Sequence, residues 1–157
     1  MRRPGPGAPS GARPRSVVSE PSDSPPTEAQ QRSLEERHRR AALGVRAEQA
    51  VADHLTASGL EILARNVRVG RLEIDMVVRD GPVIAVVEVR TRGPGSWQRG
   101  LDSIDAKKRA RVRQAGARLW RDRFAKAGGV ERMRFDAVSV TFEPDGAARI
   151  EHIKAAF

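Results

Sequence analysis

Between residues 60 and 91 the chain carries three runs in which apolar, largely β-branched residues alternate with polar ones or crowd together: Leu60 to Val67, Leu72 to Arg79 and Val83 to Thr91. Such runs predict strands. Alternation across a strand places Leu72, Ile74, Met76 and Val78 on one face of the second run and Glu73, Asp75 and Val77 on the other. The third run is apolar on both faces, which predicts a central place in a sheet. Arg79-Asp80-Gly81-Pro82 predicts a turn between the two. Two later runs, Met133 to Phe142 and Ala148 to Lys154, flank a second turn at Pro144-Asp145-Gly146 and predict two more strands.

Helical spacing appears on either side of the first three strands. Ser33 with Glu36 three positions later has the capping-box pattern and predicts a helix from there to Ser58, ended by Gly59. Leu43, Ala47, Ala50, Val51 and Leu55 form its expected buried stripe. Gly44 inside it costs roughly 1 kcal/mol against Ala, so it marks either a close backbone approach or the true helix start. A second helix is predicted from Ile104 to Lys126, capped by Asp102 or Ser103 and ended by Gly128-Gly129. Its apolar stripe is narrow: Val112, Ala115, Gly116 and Leu119. The order is αβββαββ, an α/β domain with a mixed central β-sheet flanked by helices. Residues 1–32 are rich in Pro, Gly and Ser and too poor in aliphatic clusters to offset the entropy of ordering, so a disordered tail is expected there and a single domain over 33–157.

Composition sharpens this picture in three ways. Aromatic residues make up only 4% of the chain, so the core must rest on Val, Leu, Ile and Ala. Cysteine is absent, which excludes a disulfide framework and a thiolate zinc site and fits a reducing cytoplasm. No apolar run approaches the ~20 residues of a membrane span, and the two N-terminal arginines precede no apolar stretch of a secretory signal. The expectation is a cytoplasmic protein without a membrane partner.

The formal net charge is +9, and residues 99–126 alone carry ten basic and three acidic side chains. A local cationic face suits a polyanion such as nucleic acid, although a solvated helix face gives the same pattern. With 25 arginines and 4 lysines, arginine at any one place says little, because codon composition alone replaces lysine with arginine. The pair Lys107-Lys108 is more informative for being rare.

The candidate chemistry lies in the strands. Asp75 ends Leu72-Glu73-Ile74-Asp75 and Glu88 lies within Val86-Val87-Glu88-Val89-Arg90, and the turn between them brings the two acids together. An acid among valines requires a partner. A divalent cation is one, and magnesium accepts oxygen ligands from one or two carboxylates while keeping several waters. An ion-pair cluster with Arg90 and a neighbouring base is the structural alternative. Arg90, two residues beyond Glu88, projects from the same face and can stabilise a phosphate, but guanidinium stays protonated and makes a poor general base. Glu48, beside the first helix's apolar stripe, is a candidate third acid or a solvated one, and Glu73 is a substitute for it. Asp136 suits a salt bridge. The histidines, His38, His54 and His152, show no ligand spacing. Trp97 is placed either to stack on a base or to pack its loop, and Trp120 is expected in the core.

These residues resemble the YraN-like proteins, a bacterial family assigned to the restriction-endonuclease-like fold. The resemblance runs over about residues 41–157. It is carried by Gly44-Val45-Arg46-Ala47-Glu48, Leu60 to Asn66, Leu72-Glu73-Ile74-Asp75, Val86-Val87-Glu88-Val89-Arg90-Thr91-Arg92, the helix start from Ser103 to Lys108, and Arg134-Phe135-Asp136. It implies a restriction-endonuclease-like core and a metal-dependent nuclease site. Asp75, Glu88 and Glu48 would be the metal ligands, and these three with Arg90 the catalytic set. Lys108 matches a lysine that the family tends to carry in the second helix. Arg90 stands where the general nuclease pattern has lysine, and Ala47 and Leu72 stand where the family often has glycine.

Together these readings lead to the expectation of a Mg²⁺- or Mn²⁺-dependent DNA endonuclease or resolvase-like protein that recognises shape rather than sequence. The substrate would be branched or single-stranded DNA, and the basic helix would hold phosphates through Lys107, Lys108, Arg111 and Arg113. A homodimer is expected by analogy with related folds. Two alternatives stay open: a nucleic-acid-binding module with a silent site, and a non-catalytic scaffold whose basic helix docks an acidic protein.

Overall fold

Among the described residues five strands form one mixed sheet in the order β1-β2-β3-β4-β5, and a helix covers each face. The structure, a computed structural model, describes residues 27–92 and 105–157. The strands are β1 (Glu61–Val69), β2 (Leu72–Asp80), β3 (Val83–Arg92), β4 (Arg132–Phe142) and β5 (Ala148–Ile153), with α1 (Glu28–Ala57) and α2 (Ala106–Leu119) in the expected places. Only β3 and β4 run parallel. A parallel pair cannot be joined by a tight turn, and α2 provides the crossover between them. As its two-sided apolar pattern predicted, β3 is the central strand. Gly70-Arg71 and Gly81-Pro82 close the two hairpins, and Gly70 and Gly81 adopt the left-handed backbone that such turns require.

Two apolar clusters sandwich the sheet. On one face Ala47, Val51, Ala52 and Leu55 of α1 pack on Met76, Val78, Ala85, Val87, Val138 and Val140. On the other, Val112, Ala115 and Leu119 of α2 pack on Ile74, Val77, Ile84 and Val86. The α2 stripe is the predicted one, with Gly116 buried as well. The α2 helix is capped by Asp105, whose side chain accepts the Lys108 N–H at 2.6 Å. The caps expected from sequence, Asp102 and Ser103, lie outside the described residues, as do Trp97 and residues 1–26. After Leu119 the helix widens into a π-helical segment, Trp120–Phe124.

Three expectations are corrected. The first helix starts at Glu28, five residues before Ser33, because Thr27 and Gln30 form a complete capping box upstream. Its buried stripe begins at Ala47; Leu43 is 38% exposed, since α1 runs past the sheet at its N-terminal end. The side chains of β2 do not alternate uniformly. Met76 and Val78 face α1, whereas Ile74 joins the cluster under α2, so the phase slips at Asp75.

Gly44 is neither a helix start nor a point of close approach. A Cβ built there meets nothing within 4 Å, and α1 passes straight through it. Gly44→Ala is therefore expected to stabilise the protein by roughly 1 kcal/mol, read as a higher urea midpoint with an unchanged m-value. Gly116 is the opposite case: a Cβ would stand 2.5 Å from Cε1 of Phe135. Gly116→Ala is expected to cost about 1–3 kcal/mol through overpacking in the same assay.

Candidate active site at the parting of two strands

The β2–β3 ladder runs from Asp80/Val83 to Met76/Val87 and stops there. Beyond it β2 stays paired with β1, and β3 with β4. Asp75 is the first residue past the last rung. Its Oδ2 accepts the backbone N–H of Val89 at 2.8 Å, so a side chain satisfies the donor that the ladder has left. Across from Asp75, between the Arg65–Met76 and Val67–Ile74 pairs, Asn66 takes a positive φ of 51°. Asn tolerates this conformation better than most residues. In the continued register Asp75 would stand opposite Glu88, so the end of the ladder leaves the two acids side by side.

Glu88 is 2% exposed. Its Oε1 accepts from Lys108 Nζ at 3.0 Å and lies 3.3 Å from Arg90 Nη2. Its Oε2 is buried and has no hydrogen-bond partner among the described residues. The Nε of Arg90, and the Nε and Nη2 of Arg92 farther along β3, are likewise buried and without acceptors there. Burial pushes the Glu88 carboxyl above its ordinary range and the Asp75 charge pushes it the same way, against the pull of Lys108 and Arg90. Asp75 is also raised, first by burial and then by the Glu48 charge, against the Val89 N–H, Lys108 and Arg90. Two acids with raised affinity for protons, near each other and with one oxygen unsatisfied, make a site suited to a cation.

The structure thus brings together Asp75, Glu88, Arg90 and Lys108. Glu48 stands on α1, half-buried, and its Oε2 accepts from Asn66 Nδ2 at 3.1 Å. Its charge reaches Asp75, yet among the described residues no three acidic or histidine side chains converge as a ligand set. The donor set that remains, two carboxylates with one free buried oxygen, fits magnesium or manganese, which complete their shells with water. Glu73 is exposed beside Arg68 on β1 and plays no part. Lys107, Arg111 and Arg113 lie exposed along α2, whereas Lys108 turns inward to Glu88. The inward turn of Lys108 was not legible from spacing. Its one signal was the scarcity of lysine.

Asp136 is a contrasting case on the opposite face of the sheet. Fully buried, it accepts from His152 Nε2 at 3.0 Å, the Ala155 N–H at 2.9 Å and Arg134 Nε at 3.0 Å. Arg134 continues to Asp80, which also meets Lys154. Burial alone would raise the Asp136 carboxyl, but these donors together hold it below its ordinary range. Here the expected salt bridge is what the structure shows, and it takes in His152.

The profile of UPF0102, an uncharacterised protein family, matches residues 47–140. That stretch contains both strands of the site and all of α2. The chain belongs to the UPF0102 family. This agrees with the YraN-like resemblance of the sequence. A UPF0102 protein of Sorangium cellulosum is 71% identical over 118 residues, covering 75% of this chain and 82% of its own. UPF0102 proteins of Anaeromyxobacter dehalogenans and a Parafrankia strain are 43% and 39% identical, covering 75% and 73% of this chain and 85% and 95% of theirs. Among the described residues no helix is long and apolar enough to cross a membrane.

The two kinds of buried acid predict opposite pH behaviour. The raised values of Asp75 and Glu88 mean that the folded UPF0102 domain binds these protons more tightly than the unfolded chain does. The stability they contribute is complete below the unfolded carboxylate range and is lost as pH rises through the folded values. Asp75→Asn keeps an acceptor for Val89 and is expected to be more stable than the parent at pH 7 by about 1 kcal/mol, the gain fading towards pH ~4. Asp136 contributes stability above the unfolded carboxylate range that is lost as pH falls through its lowered value. Asp136→Ala is expected to cost about 3–5 kcal/mol at neutral pH, since it strands Arg134 and His152. Urea denaturation of both variants from pH 4 to 8 checks both signs.

Proposed function

We propose that this protein is a divalent-metal-dependent DNA endonuclease that recognises shape rather than sequence and acts on branched or single-stranded substrates. The observation that supports this reading best is the meeting of Asp75 and Glu88 where β2 and β3 part, with Glu88 Oε2 buried and unpartnered among the described residues. Magnesium or manganese, when bound, would supply Lewis-acid polarisation of the phosphate and a lower pKa for its water. Asp75, oriented by the Val89 N–H, and Glu88, oriented by Lys108, would hold it. Arg90 and Lys108 face the same carboxylate and present positive charge to the non-bridging oxygens as negative charge builds on the phosphorane. Glu48, whose charge reaches Asp75 from α1, would assist through an intervening water. Lys107, Arg111 and Arg113 would hold flanking phosphates, which fixes position without reading bases.

The Lys108–Glu88 bridge favours a second reading: the lysine already neutralises the acid, and the domain binds nucleic acid without cutting it. Single-stranded, duplex, flapped and four-way-junction DNA, each incubated with Mg²⁺, Mn²⁺ or EDTA, separates the two. The endonuclease reading expects metal-dependent cleavage that falls to background in Asp75→Ala/Glu88→Ala and drops about 10–100-fold in Lys108→Met. Binding to every substrate without cleavage, unchanged by loss of the two acids, would establish the second reading instead.

The basic helix has its own test. Replacing Lys107, Arg111 and Arg113 with Gln is expected to weaken binding to every DNA and to flatten the log–log salt dependence by roughly 0.7–0.9 for each phosphate no longer neutralised. An unaltered slope would assign the charge of α2 to something other than DNA.

A further inference from the structure

The α2 face of the sheet holds a second feature beside the carboxylates. An open pocket of about 450 Å³ is lined by Arg113, Ala117, Trp120, Met133 and Phe135. Arg113, Ala117 and Trp120 follow at helical spacing, so one flank of α2 and the turn after it make a wall. Met133 and Phe135 are alternate residues of β4 and make the floor. Phe135 pairs with Val86 where Ala137 pairs with Glu88, so the floor begins about 7 Å along the strands from the acid.

Two local features build the pocket. Gly116 has no Cβ, and one placed there would lie 2.5 Å and 2.7 Å from Cε1 and Cζ of Phe135. The glycine lets the Phe135 ring lie directly under the helix. The helix then changes to π geometry at Trp120 itself, and such wide turns are frequent at functional sites. The walls are apolar apart from the Arg113 guanidinium. Ala106–Leu119 carries six basic residues and no acidic one, so whatever reaches this rim is favoured by negative charge.

We propose that this pocket receives one unpaired nucleobase of a strand whose phosphates lie along α2. The proposal rests on the nucleic-acid reading above and names the substrate class more closely: strands with an unstacked base near the scissile phosphate. The base stacks against Trp120 and packs on the floor of Met133 and Phe135, whose ring already meets Phe157 at 5.7 Å, and Arg113 pairs with the adjoining phosphate. The volume lies within the ~300–1,000 Å³ of small-ligand pockets. A base held in a duplex keeps both faces covered by its neighbours and cannot enter unless it is flipped out.

Trp120 reports on its own pocket. In the full chain carrying Trp97→Phe it is the only tryptophan. Metal-free titrations would compare a thymidine oligonucleotide with an abasic strand of equal length and charge, following Trp120 fluorescence and the anisotropy of labelled DNA. The expected result is quenching by the base-bearing strand alone and an affinity roughly 5- to 100-fold higher for it, with the same salt slope for both. Ala117→Leu fills the pocket from an exposed helix position and so spares the fold; it is expected to erase that preference while leaving duplex binding intact. Equal affinities without quenching would overturn the pocket's role while the nucleic-acid reading stands, and no binding to any DNA would overturn both. Quenching by an acidic amphipathic peptide but not by the bases would assign the pocket to a protein partner and also overturn it.

Discussion

The candidate site depends on one hydrogen bond, from the Val89 N–H to the Asp75 carboxylate. A sheet interior has no room for an unpaired backbone donor, and no room for a charged side chain at a regular core position. Here each need meets the other. The ladder between β2 and β3 stops after Met76–Val87, and the freed Val89 N–H is taken up by Asp75, the next residue of β2. The slip has a second consequence. It moves Ile74 from the α1 side to the α2 side, so the apolar pattern continues past the acid without exposing a large side chain. Were the ladder continued, Asp75 would stand directly opposite Glu88; its end frees the Val89 N–H for the Asp75 carboxylate.

The buried acids of this domain divide into two kinds. Asp136 has a donor for each oxygen and an apolar surround, and its charge is stabilised. Glu88 and Asp75 sit on the other side of that balance: burial, with the Asp75 charge acting on Glu88 and the Glu48 charge on Asp75, outweighs the cations beside them, and an oxygen of Glu88 has no partner among the described residues. A network that existed only to hold the fold together would not leave an acceptor buried and bare, because that costs stability with no return in packing. The contrast within one sheet sets the Asp75–Glu88 pair apart from the Asp136 network. It also explains why relieving one charge there should stabilise the fold, whereas removing Asp136 should damage it.

The α2 helix ties these features together. Its narrow stripe of Val112, Ala115, Gly116 and Leu119 leaves most of its circumference free. Lys108, in the first turn set by the Asp105 cap, reaches Glu88; Lys107 and Arg111 stay in solvent; Arg113 and Trp120 border the pocket. A wider apolar stripe would have buried the helix more deeply and left it fewer basic positions. The same helix is therefore crossover, source of the inward lysine and bearer of the cationic face.

Much of this was legible in the chain alone. Local pattern was enough to predict all five strands, the turns at Gly81 and Gly146, the central place of β3 and the α2 stripe, because burial on two faces, alternation and helical spacing leave marks within a few residues. The pairing of Asp75 with Glu88 was also readable, since a hairpin turn joins their strands. The start of α1 was misplaced for a local reason, because the Thr27–Gln30 capping box prevailed over the signal at Ser33. Other features depended on residues distant in sequence. The slip in β2 involves Asn66 and Val89, which no β2 pattern contains. The inward turn of Lys108, the separation of Glu48 from a ligand set and the pocket between Trp120 and Phe135 arise only when the helices are laid across the sheet. Sequence determined which elements form and which residues carry charge; the tertiary structure decided which charges meet, because backbone register and the seating of a helix on a sheet are set by packing across the whole domain.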